Sequence, residues 1–211
     1  MPVPAKPRIY HIVHVDNLAS IVTDGWLWPD SVMAKRQGTA VIGNNEIKAD
    51  RLRLPVGCHA GTHVGDYVPF YFCPRSVMLY VIHRGNHPNV AYREGQGPVV
   101  HLVADMNEVV EWAVQAKCKW AFSDINAASR AADFFSDLGQ LDRLDWSAIV
   151  AWQWASCRDH KMAEFLVYLG FPWELVRGIG VYSEIAGRRA IAAFGDAKHR
   201  PPVKVKREWY Y

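Results

Sequence analysis

The stretch DYVPFYFCPRSVMLY, residues 66–80, decides how this chain is read. Tyr67 to Phe72 is a run of aromatic and β-favouring residues, the composition of a strand. Pro74 is expected in the first turn of a helix, where a missing N–H costs nothing. Met78, Leu79 and Ile82 continue that helix at apolar spacing to Gly85. Upstream, RIYHIV at 8–13 reads as a strand, and Asp16 stands where a helix N-cap belongs. Leu18, Ile21 and Val22 follow at helical spacing, and Gly25 supplies the stop. Residues 29–65 are polar and glycine-rich, with one basic helix expected over 44–53, carrying Lys48, Arg51 and Arg53. A long polar segment of this kind works at a surface or covers a site.

Downstream, PVVHLVA at 98–104 and KWAFS at 119–123 read as strands, with a helix over 105–116 between them. Two helices are expected within 129–152. AEFLVY at 163–168 is a strand with Glu164 at its start, followed by a helical turn over 172–177. GIGVYS at 178–183 is a strand, SEIAGRRAIAAF a helix, and the VKVKREWYY tail a final edge strand. Strands and helices mix without a regular βαβ rhythm, so the expected class is α+β, in one domain over residues 1–211.

Composition narrows the function. The chain has 211 residues and is 50% hydrophobic, enough to bury a sizeable core. Net charge is +3, a mild excess that suits an enzyme visiting a polyanion better than a protein that coats one. The four cysteines, Cys58, Cys73, Cys118 and Cys157, form no CxxC pair and read as reduced thiols of a cytoplasmic protein. No N-terminal stretch resembles a signal peptide, and no apolar run is long enough for a membrane span. No GxGxxG fingerprint occurs, which argues against a dehydrogenase.

Several stretches, in order, resemble the DarT family of DNA ADP-ribosyltransferase toxins. They are IYHIVHVDNL at 9–18, DYVPFYFCPRSVMLY at 66–80, GQGPVVHLV at 95–103, KMAEFLVY at 161–168, FPWE at 171–174 and REWYY at 207–211. The resemblance implies an ADP-ribosyltransferase-like fold with a central split, mostly antiparallel sheet and flanking helices. It implies NAD as co-substrate in a cleft between the two halves, no metal, and a monomer. ADP-ribose would pass to a base of single-stranded DNA, with thymine the best-known acceptor and guanine that of one subtype. A DarG-type macrodomain antitoxin would be the partner.

The same resemblance assigns residues. Glu164 matches the catalytic glutamate. Cleavage of the nicotinamide–ribose bond passes through an oxocarbenium-like state, which a nearby carboxylate stabilises. The structural alternative is a carboxylate at a strand edge. His11 matches the NAD-binding histidine, because a neutral imidazole can donate one hydrogen bond and accept another; a core histidine is the alternative. Asn17 and Ser20 fall at the following helix start, where short polar groups and backbone N–H groups can hold an amide or phosphates. The more usual threonine after HI is Val13 here, so that contact is missing. Arg51 matches an arginine that acts at the reacting centre, and Arg53 stays open as its rival. Tyr71 can stack on nicotinamide. Arg75 and Ser76, at the start of the next helix, are candidates for a DNA phosphate. Trp154 and His160, in the segment before Glu164 that also holds Trp152, are candidates for reading the acceptor base by stacking.

Three other readings compete. Cys58, His59, His63 and Cys73 could bind zinc, although their spacing fits no common pattern; HRGNH at 83–87 lacks the glutamate of a metalloprotease motif. A non-catalytic nucleic-acid-binding module would use residues 48–53, the Lys204–Arg207 tail and the tryptophans, and would consume no NAD. An ADP-ribosyltransferase acting on RNA or protein would share the NAD-side motifs.

Overall fold

The computed structural model describes residues 1–36, 42 and 49–211. Its centre is an eight-stranded sheet ordered β10-β9-β4-β1-β3-β7-β5-β6. The strands are β1 (Arg8–His14), β3 (Tyr67–Tyr71), β4 (Val99–Asp105), β5 (Trp120–Ser123), β6 (Phe134–Phe135), β7 (Glu164–Tyr168), β9 (Gly178–Val181) and β10 (Val203–Val205). A two-stranded ribbon pairs β2 (Trp26–Leu27) with β8 (Phe171–Pro172). Every strand pair is antiparallel except β10 with β9. This is the α+β class read from the sequence.

Alternation along β7 shows why the sheet is covered on both faces. Phe165 and Val167 enter the main core, whereas Leu166 enters a second cluster with Val56, Val64 and Tyr67. The main core also takes Met106, Val109 and Val110 from the helix Met106–Gln115, and Ala186 and Ala190 from the helix Glu184–Ala192. A third cluster sets Leu79 and Ile82 of the helix Val77–Arg84 against Ile12, Val99 and Tyr210.

The break in the sheet positions the site. β1 pairs with β4 from Arg8↔Asp105 through His14↔Val99. Its pairing with β3 on the other side is confined to Tyr10↔Tyr71. The two strands therefore diverge, and a cleft opens between the halves of the sheet.

Four local expectations need correction. Asp16 is not an N-cap: it lies inside a 3-10 turn, Val15–Asn17, and the His14 ring nitrogen Nδ1 accepts its backbone N–H at 3.3 Å. Pro74 lies outside the helix, which starts at Val77 behind a Ser76 cap. Residues 129–152 hold β6, a 3-10 stretch Leu138–Arg143 and one short helix, Trp146–Val150, rather than two helices. The apolar spacing of Leu141, Trp146 and Ile149 imitates a longer helix, but Asp137 and Asp145 each cap a new start, accepting from Gly139 N at 2.8 Å and Ala148 N at 3.0 Å. The edge strand of the tail is only Val203–Val205, and a 3-10 turn Arg207–Trp209 follows. The basic helix expected over 44–53 falls largely outside the described residues, as does Lys48; residues 49–51 are helical. No described helix is long and apolar enough to cross a membrane.

Candidate active site

The cleft between β1 and β3 has a volume of about 990 Å³, the upper end of the range for a cofactor-sized ligand. His11, Asn17, Ser20, Arg51, Tyr71 and Glu164 all line it. Register brings the last two together: β3 and β7 pair with Tyr71 directly opposite Glu164.

Glu164 is buried, and both oxygens of its carboxylate accept hydrogen bonds. Arg51 Nη1 donates to Oε1 at 3.2 Å and to Oε2 at 2.9 Å, and the backbone N–H of Ala127 donates to Oε1 at 3.1 Å. The backbone N–H of Glu164 donates to Ser123 Oγ at 3.2 Å, which fixes the start of the strand. A buried carboxylate needs such partners, since an unpaired one would be strongly penalised.

Arg51 is buried as well, with Nε 3.7 Å from Asp30 Oδ2. Burial alone would ease loss of its proton, but Glu164 and then Asp30 outweigh that and hold the guanidinium charged. Its Nη2 is buried and has no hydrogen-bond partner among the described residues. Arg53, by contrast, lies on the surface. The geometry thus separates the two arginines that the sequence left as rivals.

Tyr71 is half-buried; burial, and then the Glu164 charge, push its phenol well above the usual range, so it stays neutral. On the opposite wall, His11 Nδ1 meets the Pro69 carbonyl at 2.8 Å, across the gap between β1 and β3. That bond makes Nδ1 the donor and fixes the ring's orientation. Asn17 and Ser20 stand at the rim, where Ser20 Oγ donates to the Asn17 carbonyl at 2.9 Å.

A family model described as ssDNA thymidine ADP-ribosyltransferase, DarT, matches residues 10–211. The chain belongs to the DarT family. A DNA ADP-ribosyl transferase of Thermus aquaticus is 42% identical over 211 residues, 99% of this chain and 90% of that protein. Thermus sp. 2.9 DarT in complex with ADP-ribosylated ssDNA superposes with a TM-score of 0.90 at 37% identity, covering 100% of this chain and 99% of the other. Thermus sp. 2.9 DarT in complex with NAD+ gives a TM-score of 0.82 at 37% identity, with both chains covered in full. The chain is therefore a DNA ADP-ribosyltransferase with the α+β sheet of its DarT relatives.

The DarT residues expected to face DNA do not gather at the cleft. Ser76 is buried, and its hydroxyl accepts the Leu79 N–H at 3.2 Å as a helix cap rather than facing solvent. Arg75 lies between two rings, its guanidinium carbon 4.0 Å from the Trp152 centroid and 4.2 Å from that of Tyr211. Trp154 Nε1 donates to the Tyr211 hydroxyl at 3.0 Å, and its ring packs edge-on to Tyr80. His160 is exposed on the helix Arg158–Lys161. Trp152 is 66% exposed rather than core. Of the zinc candidates, His59 Nε2 bonds the Trp120 carbonyl at 2.8 Å and His63 lies 3.6 Å from Asp66. Among the described residues no three His, Cys, Asp or Glu side chains converge.

Sequence reasoning missed Asp30, Ser123 and Ala127. Ala127 acts through its backbone N–H, which no side-chain pattern reveals. Asp30 follows Pro29 at the start of a four-residue helix and reads as an ordinary first-turn acid.

Proposed function

We propose that this chain transfers ADP-ribose from NAD to thymine in single-stranded DNA, as the toxin of a pair completed by a DarG-type macrodomain antitoxin. The observation that carries the reading is the Arg51–Glu164 pair in the cleft, with one buried guanidinium nitrogen unpartnered among the described residues. His11, Asn17, Ser20 and Tyr71 hold NAD, with Tyr71 against the nicotinamide ring. The C1′–nicotinamide bond breaks, and nicotinamide leaves as the neutral base. Glu164 binds the ribose hydroxyl and stabilises the cationic ring. The acceptor nitrogen then bonds to C1′ and loses its proton, with the Glu164 carboxylate as the base within reach. Arg51 Nη2 donates to a thymine carbonyl oxygen and favours the deprotonated ring. A paired thymine has that nitrogen already hydrogen-bonded, which selects an unpaired strand. Arg75, Trp154 and His160 form the DNA-facing side of the proposal; Ser76 drops out of it as a helix cap. Both charged groups of the pair come from one chain, which suits a monomer.

The test is incubation with NAD and defined single-stranded oligonucleotides, read by intact mass, with Glu164→Ala in parallel. A gain of one ADP-ribose on thymine-containing strands, absent from the variant, is the expected result. A gain only on guanine-containing strands moves the acceptor. No gain on any DNA, with NAD bound, points to RNA or protein instead.

A further inference from the structure

Lys161 is a buried cation that the cleft chemistry does not use; it is 2% exposed and does not line the cleft. Its ammonium donates to the carbonyls of Ile149 and Ala151, both at 2.8 Å, and to the Cys73 sulfur at 3.7 Å. An ammonium has three N–H donors and no acceptor, so these partners use all of them. A lysine is seldom buried among neutral groups, because desolvation must be offset by well-made hydrogen bonds. The location of those bonds suggests their purpose. Ile149 and Ala151 form the C-terminal end of the helix Trp146–Val150, where carbonyls lack intrahelical partners and attract a cation. Cys73 follows β3, two residues beyond Tyr71. Residues 151–160, a loop with a 3-10 turn at Ala155–Cys157 that runs into the helix Arg158–Lys161, leave this point and return at Lys161, three residues before Glu164. The loop carries Trp152, Trp154 and Arg158, the last of which lines the cleft.

We propose that Lys161 is a positioning residue for the DNA side of the reaction, clamping the neck of loop 151–160 so that it meets the acceptor strand in fixed register with Glu164. The inference rests on the acceptor reading proposed above. Without the clamp the loop's two ends keep only the packing of the helices Trp146–Val150 and Arg158–Lys161 against each other, and the geometry of its aromatic and basic groups relative to Glu164 relaxes. The NAD side, built on β1, β3 and the helix Leu18–Asp24, stays as it is.

Lys161→Met keeps the aliphatic stem and removes the donors; Cys73→Ser keeps an acceptor at the third position. Both are assayed for transfer to a thymine-containing oligonucleotide, for NAD binding by calorimetry and for thermal melting. For Lys161→Met, kcat/KM for the oligonucleotide is expected to fall about tenfold or more, with the Kd for NAD within about twofold of the parent. Cys73→Ser is expected to stay close to the parent in both. Should Lys161→Met fail to fold, Lys161→Gln, whose shorter amide keeps two N–H donors, is expected to lose less transfer at an unchanged Kd for NAD, and a loss of NAD binding in it would equally overturn the inference. A parallel loss of NAD binding and transfer would make Lys161 a general support of the fold and overturn the inference, as would unchanged kinetics. A parental chain that leaves DNA unmodified in the same assay would remove the acceptor reading, and this inference with it.

Discussion

Arg51 is held on two sides and open on a third, which matters for how the residue works. Glu164 accepts from Nη1 and Asp30 faces Nε, so the plane of the guanidinium is fixed while Nη2 has no partner among the described residues. Lysine cannot reproduce that fork, because its ammonium is a point charge on a flexible stem. Arg51→Lys should therefore bind NAD nearly as the parent does, by calorimetry, while transfer to DNA falls about a hundredfold. Equal loss of both would mean that Arg51 serves NAD rather than the acceptor. Asp30→Asn should be milder, lowering kcat about tenfold with the KM for NAD unchanged, since it loosens the aim of Arg51 without removing it. A shift in KM alone would contradict a role through Arg51. That Glu164 and His11 would share a cleft was legible through their family motifs, although Val13 departs from the pattern beside His11. The choice of Arg51 over Arg53 was not legible, since two arginines two residues apart look alike until burial separates them.

Elements carry their own lesson, and Ser76 illustrates it. A serine before an apolar helix can be a cap or a phosphate ligand, and the sequence supports either. The structure spends the hydroxyl on Leu79 N–H inside the core. Ser76→Ala should cost about 1 kcal/mol in urea unfolding and leave the KM for oligonucleotides unchanged. A raised KM for DNA at unaltered stability would restore the phosphate reading. Pro74 was expected inside this helix, but its carbonyl accepts from both Ser76 N and His101 Nε2, in a turn that precedes it. The closing REWYY gains its meaning from Gly180 in β9. A Cβ at Gly180 would collide with the Trp209 ring, so the tail can lie on the sheet only over a glycine. Gly180→Ala should lower stability by about 1–3 kcal/mol, read by denaturant unfolding. An unchanged midpoint would show that the tail moves aside freely.

At the scale of the molecule, a buried histidine away from the cleft makes stability depend on pH. His101 is fully buried in β4, with Nε2 on the Pro74 carbonyl at 2.9 Å and Nδ1 3.2 Å from the Tyr210 hydroxyl. Burial pushes its imidazole down to about 4, against the opposing pull of the Pro74 carbonyl. The unfolded chain binds this proton near pH 6.5 and the native chain near pH 4, so between those values unfolding takes up a proton. Stability from this group is complete above pH 6.5 and drains away as pH falls toward 4, by about 3 kcal/mol in all. Urea unfolding at pH 7 and pH 5 should show a loss that is smaller in His101→Asn. Identical slopes in the two proteins would assign the pH dependence elsewhere.

The sequence by itself determined the class of fold, the order of most strands and helices, and the family to which the chain belongs. It could do so because strand and helix periodicity, glycine stops and the family's motifs are local properties. It misread residues 129–152, where two aspartate caps interrupt a spacing that otherwise suits a helix. Only the tertiary structure decided where β1 and β3 part, that Asp30 and the Ala127 N–H complete the charge network, and that Lys161 closes a loop against Cys73. Each of these joins residues far apart in the chain through burial and main-chain hydrogen bonds, and neither leaves a mark in a linear pattern.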